Sequence, residues 1–291
     1  MEICLRIAGL DVAINYASYR CDLLDFVPSA RPFIVGKPVG EPIIRLSVDD
    51  SLRPAVGRKL MRTFDTGNGD TMVYTLPDGG YQFIIKDVMG RSCCLVIADK
   101  NFSNCQLALN GNQDMRSFGL NDALMLLFAF ASSRRNTLLL HASCLRHKGK
   151  AYPFIAKSGT GKSTHTALWM RHIEDTDLLN DDNPAIRIVE GKPMVFGTPW
   201  SGKTPCYRNV SVPLGAITRI ERASSNSIER LGPAKAFASL LPSCSTMKWD
   251  HDIYNGICDT LTSLVAQVPV FTLHCLPNEQ AAELCHSALI Q

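Results

Sequence analysis

One glycine-rich segment, AKSGTGKS at residues 156–163, constrains the fold of this 291-residue chain more than any other. Apart from alanine at its first position, the segment matches G-x-x-x-x-G-K-[ST], a loop between a strand and a helix. Gly159 and Gly161 allow the backbone to curl so that successive N–H groups point into one concavity. The apolar run YPFIA (152–156) before the loop supplies the strand, and the amphipathic stretch after Lys162 supplies the helix.

The groups around this loop are those that bind a nucleotide. A helix that begins at Ser163 directs the positive end of its dipole at the concavity. Lys162 can span the β- and γ-phosphates, and the Ser163 hydroxyl can ligate Mg²⁺. A turn that binds nothing is the alternative, but the flanking strand and helix favour the binding loop. We therefore expect ATP and Mg²⁺ as cofactors, bound by Ser158, Gly159, Thr160, Gly161, Lys162, Ser163 and Thr164.

Two further stretches carry side chains suited to phosphoryl chemistry. The run LLNDD (178–182) ends an apolar strand in paired aspartates. Since adjacent parallel strands end at the same edge of a sheet, Asp181 and Asp182 should lie beside the phosphates. One carboxylate can orient Mg²⁺ while the other accepts a proton from an attacking hydroxyl, although paired aspartates also serve as turn or capping residues. His141 lies on the strand before the loop strand, where a buried core histidine is the alternative.

Strand patterns dominate the first third of the chain, whereas strands alternate with helices after Thr137. A buried helix, predicted to open near Asn121, separates the two patterns. The alternation indicates an α/β layer in which helices cover a mostly parallel sheet, made mixed by hairpins, with Asn278 capping the last helix. We place a smaller β-rich α+β domain at 1–115 and an α/β nucleotide-binding domain at 116–291. The strand runs of the first domain lie at 43–48, 72–76, 81–85, 92–98 and 105–109.

Composition and charge argue against several classes of function. The formal net charge is +3, so we expect no nucleic-acid partner and no attachment to an anionic membrane. The longest apolar run, Ala123–Ala131, is about half of what a membrane-spanning helix needs. Eleven cysteines include no C-x-x-C pair, and the N-terminus lacks a signal-peptide pattern. We expect a cytoplasmic protein in a reducing compartment, with most cysteines buried as small hydrophobic residues.

Residues 138–190 resemble the kinase domain of the HPr kinase/phosphorylase family, through HASCL, AKSGTGKS and LLNDD in that order. The same phosphate-loop architecture occurs in ATP-dependent phosphoenolpyruvate carboxykinases. The segments at 212–243 and 268–289 are similar to uncharacterised HPr-kinase-like proteins, some of which accompany peptide-modification systems. The resemblance implies a P-loop kinase domain of the HPr kinase/phosphoenolpyruvate carboxykinase type, and it does not reach residues 1–110.

The resemblance also implies roles for individual residues. Asp182 would be the general base that deprotonates a serine hydroxyl, and His141 would assist at the transferred phosphoryl group. Lys162 would neutralise the charge of that group, and Ser163 with Asp181 would hold magnesium. The implied activity is Mg-ATP-dependent phosphorylation of a hydroxyl, on a serine of a protein or peptide or on a small molecule.

The chain departs from the family pattern at two places, which keeps other functions open. Thr164 stands where these kinases usually have glutamate, and the stretch 194–203 lacks the acidic magnesium ligand that they carry. Ser201, Gly202 and Lys203 could instead offer an amide and an ammonium group to an anion. One alternative is a catalytically weak nucleotide-sensing protein; another is a phosphoenolpyruvate carboxykinase-like enzyme, disfavoured because those enzymes are much longer. The acceptor, the choice between ATP and GTP, the reverse reaction and homo-oligomer formation stay open.

Overall fold

The computed structural model describes residues 2–16, 23–202 and 204–290, and the chain forms two compact units. The first unit is Met1–Ser132 and the second is Ser133–Gln291. Both units combine helices with β-sheet, and each contains parallel and antiparallel strand pairs. The α/β class predicted from the sequence is therefore confirmed, in the form of mixed sheets.

The first unit is built on a nine-stranded sheet of order β3-β1-β2-β4-β9-β8-β7-β6-β5. The pairs β2–β4 and β4–β9 are parallel and the others are antiparallel. All five predicted strand runs are confirmed as β4 and β6 to β9. The hairpin β1–β2 was not predicted, because its turn is Ala8-Gly9 rather than an asparagine- or aspartate-glycine pair. The strands are β1 (Glu2–Ile7), β2 (Leu10–Tyr16), β3 (Ile34–Val35), β4 (Ile44–Val48), β5 (Lys59–Asp65), β6 (Asp70–Thr75), β7 (Tyr81–Lys86), β8 (Ser92–Ala98) and β9 (Asn104–Leu109).

In its described residues, the first unit has the α-helices α1 (Leu23–Phe26) and α2 (Gln113–Ser132), with a 3-10 helix at Pro28–Phe33. The predicted start of α2 near Asn121 is wrong by two turns. Gly119 lies inside α2. A Cβ at this position would stand 2.9 Å from the Cys93 carbonyl oxygen of β8, so the close packing of helix on strand requires glycine. This close approach packs α2 on the first sheet, and α2 therefore belongs to the first unit. The chain divides after Ser132, whereas the boundary predicted from the sequence lies at residues 115/116.

The second unit contains a six-stranded sheet of order β13-β11-β12-β17-β19-β18 and a four-stranded sheet of order β10-β14-β15-β16. Only β12–β17 and β17–β19 of the six-stranded sheet are parallel pairs, so the expectation of a mostly parallel sheet is wrong. The strands are β10 (Thr137–Leu139), β11 (Ala142–His147), β12 (Lys150–Ile155), β13 (Thr176–Asp182), β14 (Ala185–Val189), β15 (Lys192–Phe196), β16 (Ser211–Pro213), β17 (Ile217–Arg222), β18 (Ser227–Arg230) and β19 (Val270–Cys275).

Helices cover both faces of the six-stranded sheet. Phe154 of β12 packs in a cluster with Trp169 and Cys285, and its neighbour Ile155 packs in another cluster with Ile257 and other buried residues. The helices are α3 (Lys162–His172), α4 (Pro233–Leu240), α5 (His251–Gln267) and α6 (Glu279–Leu289). The predicted cap of α6 is confirmed, since the side chain of Asn278 accepts a hydrogen bond from the Ala281 amide at 3.1 Å. Among the residues that the structure describes, no helix has the length and apolarity that a bilayer crossing requires.

The strand order brings the phosphate loop and the aspartates to one edge of the sheet. We expected β12 and β13 to be neighbours, but β11 lies between them and is antiparallel to both. Two antiparallel steps restore the direction, so β12 and β13 run the same way and end at the same edge. In this register Ser143 of β11 pairs with Phe154 on one side and with Asp181 on the other.

Candidate functional site

The loop between β12 and α3 is open to solvent and has the backbone conformation that its glycines allow. Gly159 has φ 75° and Gly161 has φ 125°, both in the region that favours glycine. A Cβ at Gly159 would meet nothing within 4 Å, so conformation rather than packing requires glycine there. Residues 157–159 are exposed, as are Ser163 and Thr164 at the start of α3. A curled, exposed loop at a helix N-terminus is a geometry that binds phosphate.

The side chain of Lys162 lies beside His141 and Asp182. Its Nζ is 3.0 Å from His141 Nε2 and 3.4 Å from the Ala156 carbonyl oxygen. The same His141 nitrogen lies 3.3 Å from Asp182 Oδ1. Nε2 of His141 therefore lies within hydrogen-bonding distance of an ammonium donor and of a carboxylate acceptor, and which of the two it serves depends on the tautomer of the ring. The structure thus brings together the three side chains that we predicted to be catalytic.

The environment shifts the pKa of each of these three groups. Burial raises the pKa of Asp182, against the opposing effect of the nearby His141 and Lys162. Burial, and secondly the charge of Lys162, lowers the pKa of His141, and burial lowers the pKa of Lys162. A histidine with a pKa below 6.5 is neutral at pH 7, and a carboxylate with a raised pKa is a stronger base.

Asp182 is held in place by its backbone and by Asn183. Its φ is 150°, a conformation that residues other than glycine rarely adopt. The backbone of Asp182 bridges that of Ser201 in antiparallel fashion. The side-chain amide of Asn183 donates to Asp182 Oδ2 at 2.9 Å, while the other carboxyl oxygen faces His141. The carboxyl group therefore has a fixed orientation toward the loop.

Asp181 is turned toward the segment that follows β15. It is buried, and its Oδ2 accepts a hydrogen bond from the Thr204 amide at 3.2 Å. The Gly202 amide, which we expected to be available to an anion, donates instead to the Asp181 carbonyl oxygen. Lys203, the ammonium group of the same expectation, lies outside the described residues.

The donor set fits magnesium that arrives with a nucleotide better than a free metal ion. Among the described residues there is no group of three or more histidine, cysteine, aspartate and glutamate side chains that could hold a metal. Mg²⁺ keeps several waters and binds through one or two carboxylates together with substrate phosphates. The exposed hydroxyl of Ser163 and the carboxylate of Asp181 are oxygen ligands of that kind.

Sequence reasoning missed Arg222, the last residue of β17. Its Nε donates to the Thr160 carbonyl oxygen at 3.1 Å, and its Nη2 donates to that of Gly159 at 2.6 Å. The motif gives no signal for this residue, because the contact depends on β17 lying next to β12 in the sheet. The sequence shows only that an arginine ends a predicted strand, which does not indicate a contact with the loop.

Comparisons with known proteins give a family and weak likenesses to solved structures. The family model described as SynChlorMet cassette protein ScmC matches residues 104–278. No curated protein matches the chain. Among solved structures, the Hpr(Ser) kinase/phosphatase from Coxiella burnetii matches 52% of this chain and 96% of its own, with 8% identity and a TM-score of 0.33. At that TM-score the likeness does not define the fold.

Proposed function

This chain belongs to the family of SynChlorMet cassette protein ScmC, and we propose that it is a kinase that transfers the γ-phosphoryl group of Mg-ATP to a hydroxyl. The acceptor class that we propose is a serine of a protein or peptide, or a small molecule. The arrangement of Lys162, His141 and Asp182 beside an open glycine loop carries this proposal. The motif resemblance of residues 138–190 supports a P-loop kinase fold of the HPr kinase/phosphoenolpyruvate carboxykinase type for the second unit.

The loop and Lys162 would bind the phosphates. Backbone N–H groups at the start of α3 would line the concavity at the positive end of the helix, whereas the Thr160 N–H donates to the Lys157 carbonyl oxygen. Among the described residues, the hydrogen-bond partners of the Lys162 ammonium group are His141 and the Ala156 carbonyl oxygen, both of which are neutral. A phosphate oxygen, being charged, is a stronger acceptor than either. We therefore expect Lys162 to exchange these contacts for the nucleotide.

Asp182 would act as the base in the transfer step. The acceptor hydroxyl gives its proton to the Asp182 carboxylate as its oxygen forms a bond to the γ-phosphorus. The bond from that phosphorus to the bridging oxygen breaks, and ADP leaves with the electron pair. His141, neutral at pH 7, would orient Lys162 and contact the transferred group. Mg²⁺, held by Ser163 and Asp181, would neutralise charge on the phosphates when bound.

The proposal is tested by phosphoryl transfer from γ-labelled ATP. The full-length protein is incubated with labelled Mg-ATP and a panel of serine-containing peptides and small alcohols. We expect label in an acceptor, or released phosphate, from the wild type and from Lys150→Ala, an exposed lysine at the opposite end of β12. Lys162→Ala and Asp182→Asn should both lose the activity.

The outcome separates catalysis from nucleotide sensing. Activity in Lys162→Ala equal to that of the wild type would refute the proposed role of the loop. Mg-ATP binding without turnover in the wild type, unchanged in Asp182→Asn, would refute the kinase and identify a nucleotide-sensing protein instead.

A further inference from the structure

Arg222 contacts the phosphate loop from the neighbouring strand. Its side chain is exposed and donates hydrogen bonds to two loop carbonyl oxygens, those of Gly159 and Thr160. β17 runs parallel to β12, with Ile155 paired to Arg219, so the ends of both strands lie at the edge where the loop begins. A guanidinium group presents several N–H donors in a rigid fork, which suits two acceptors on successive residues.

The two accepting carbonyls determine where the loop amides point. In a trans peptide the C=O and the following N–H point in opposite directions within one plane. No cis peptide occurs among the described residues, so the Thr160 carbonyl that faces Arg222 directs the N–H of Gly161 to the opposite side. The Gly159 carbonyl likewise faces Arg222, so the N–H of Thr160 points the other way. There it donates to the Lys157 carbonyl oxygen at 3.0 Å.

We propose that Arg222 is a positioning residue, which fixes the two peptide planes between residues 159 and 161 so that the Gly161 amide faces the phosphates of a bound nucleotide. The inference rests on the proposed function and deepens it. Gly159 and Gly161 have no side chain to restrict them, and a Cβ at either would meet no atom closer than 3.9 Å. Side-chain packing at the glycines therefore does not hold these planes. The bond from the Thr160 amide to the Lys157 carbonyl restrains the first plane, and the guanidinium fork restrains both.

Calorimetric titration of the full-length protein with Mg-ATP, and with magnesium tripolyphosphate, tests this role. Arg222→Ala should bind Mg-ATP about tenfold more weakly than the wild type, because two charge-assisted hydrogen bonds no longer preorganise the loop. Tripolyphosphate binding should weaken by the same factor, since the loop amides contact only phosphates. Arg222→Lys, which keeps the charge and loses the fork, should be as weak as Arg222→Ala. Arg230→Ala, an exposed arginine on β18, is the control and should bind like the wild type.

Each result decides between the inference and the proposed function. Wild-type affinity in Arg222→Ala would overturn the inference, and wild-type affinity in Arg222→Lys would show that charge rather than the fork acts. If Arg222→Ala melts at a lower temperature than the wild type, its weaker binding could reflect lost stability. The affinity of Arg222→Lys then tests the role of the fork. If the wild type binds Mg-ATP while both Arg222 variants match it, only the inference fails. If the wild type binds neither Mg-ATP nor tripolyphosphate, the proposed function fails as well.

Discussion

At the scale of single residues, Asp182 shows the clearest conflict between stability and function. Its φ of 150° is one that an L side chain adopts at a cost of about 1–3 kcal/mol. The same conformation places one carboxyl oxygen 3.3 Å from His141 and the other 2.9 Å from the Asn183 amide. A conformation that is unfavourable for the residue and useful for the site is typical of functional positions.

The strain at Asp182 can be measured by replacing the residue with glycine and with alanine. Neither variant has a carboxylate, so both should lose phosphoryl transfer. Because glycine tolerates this φ and alanine does not, we expect Asp182→Gly to exceed Asp182→Ala in free energy of unfolding by roughly 1–2 kcal/mol. Urea unfolding of both variants checks the order. A more stable alanine variant, the usual order within a helix or strand, would contradict the strain.

The raised pKa of Asp182 sets the acid side of the activity profile. The base must be ionised, so kcat/KM should fall as the pH drops through this pKa, which lies above the ordinary value of 3.8. Removing the donor to Oδ2 in Asn183→Ala destabilises the carboxylate form, so the acid limb should move to higher pH. Transfer rates measured from pH 4 upward in both proteins test this. A limb that moves to lower pH in the variant would be inconsistent with this role of Asn183.

Motif residues and contact residues differ in how far sequence could predict them. Lys162 follows from the loop motif, Asp182 follows from the aspartates at the end of a nearby strand, and the role of His141 was implied by the family resemblance. The structure brings all three together. Arg222 contacts the loop from a neighbouring strand, and Asn183 donates to the Asp182 carboxylate. Neither contact can be predicted from a local sequence pattern.

At the scale of elements, α3 joins the loop to the core through a buried histidine. His165 is 3% exposed, and its Nε2 accepts a hydrogen bond from Trp169 Nε1 at 3.1 Å. Its Nδ1 is buried and finds no hydrogen-bond partner among the described residues. Burial lowers the pKa of His165 to about 4, so this imidazole is neutral in the folded protein well below pH 6.5.

His165 should make the second unit lose stability in acid. The unfolded chain binds a proton at this histidine near pH 6.5 while the folded chain does not, so stability falls as the pH drops from about 6.5 toward 4. The loss over that window should be on the order of 3 kcal/mol. In His165→Gln, whose amide oxygen can still accept from Trp169, the free energy of unfolding should depend less on pH.

Tryptophan fluorescence during urea unfolding at pH 7 and pH 5 measures the first part of this loss, roughly 2 kcal/mol. All three tryptophans, at positions 169, 200 and 249, belong to the second unit. Equal loss in the wild type and in His165→Gln would assign the acid sensitivity to other groups, such as His286, whose pKa is also lowered by burial.

Strand neighbours were the least predictable feature of the elements. The hydrophobic patterns located five of the first unit's strands, β4 and β6 to β9, but they do not state which strands pair. β11 lies between β12 and β13, and the shared edge survives only because two antiparallel steps restore the direction. The start of α2 was misplaced for a similar reason, since Gly119 serves a contact with β8 rather than a helix end.

At the scale of the whole molecule, every residue of the candidate site belongs to the second unit, which has its own hydrophobic clusters. A chain of residues 133–291 should therefore fold and bind Mg-ATP with the affinity of the full-length protein. A chain of residues 116–291 carries most of α2 without its sheet, exposing Leu120, Leu124 and Leu127, and should aggregate more readily.

Size-exclusion chromatography and Mg-ATP titration of the two fragments test this division. If the longer fragment is the better behaved of the two, the boundary lies nearer residues 115/116, as the sequence pattern suggested. Loss of nucleotide binding in a folded 133–291 fragment would show that the first unit contributes to the site.

A structure with a Mg-bound, non-hydrolysable ATP analogue tests the central claim most directly. We expect the β- and γ-phosphates to accept hydrogen bonds from the amides of residues 161–163 and from the Lys162 ammonium group, with the γ-phosphate facing Asp182. An analogue bound elsewhere on the chain, or phosphates that contact neither the loop nor Lys162, would contradict the account.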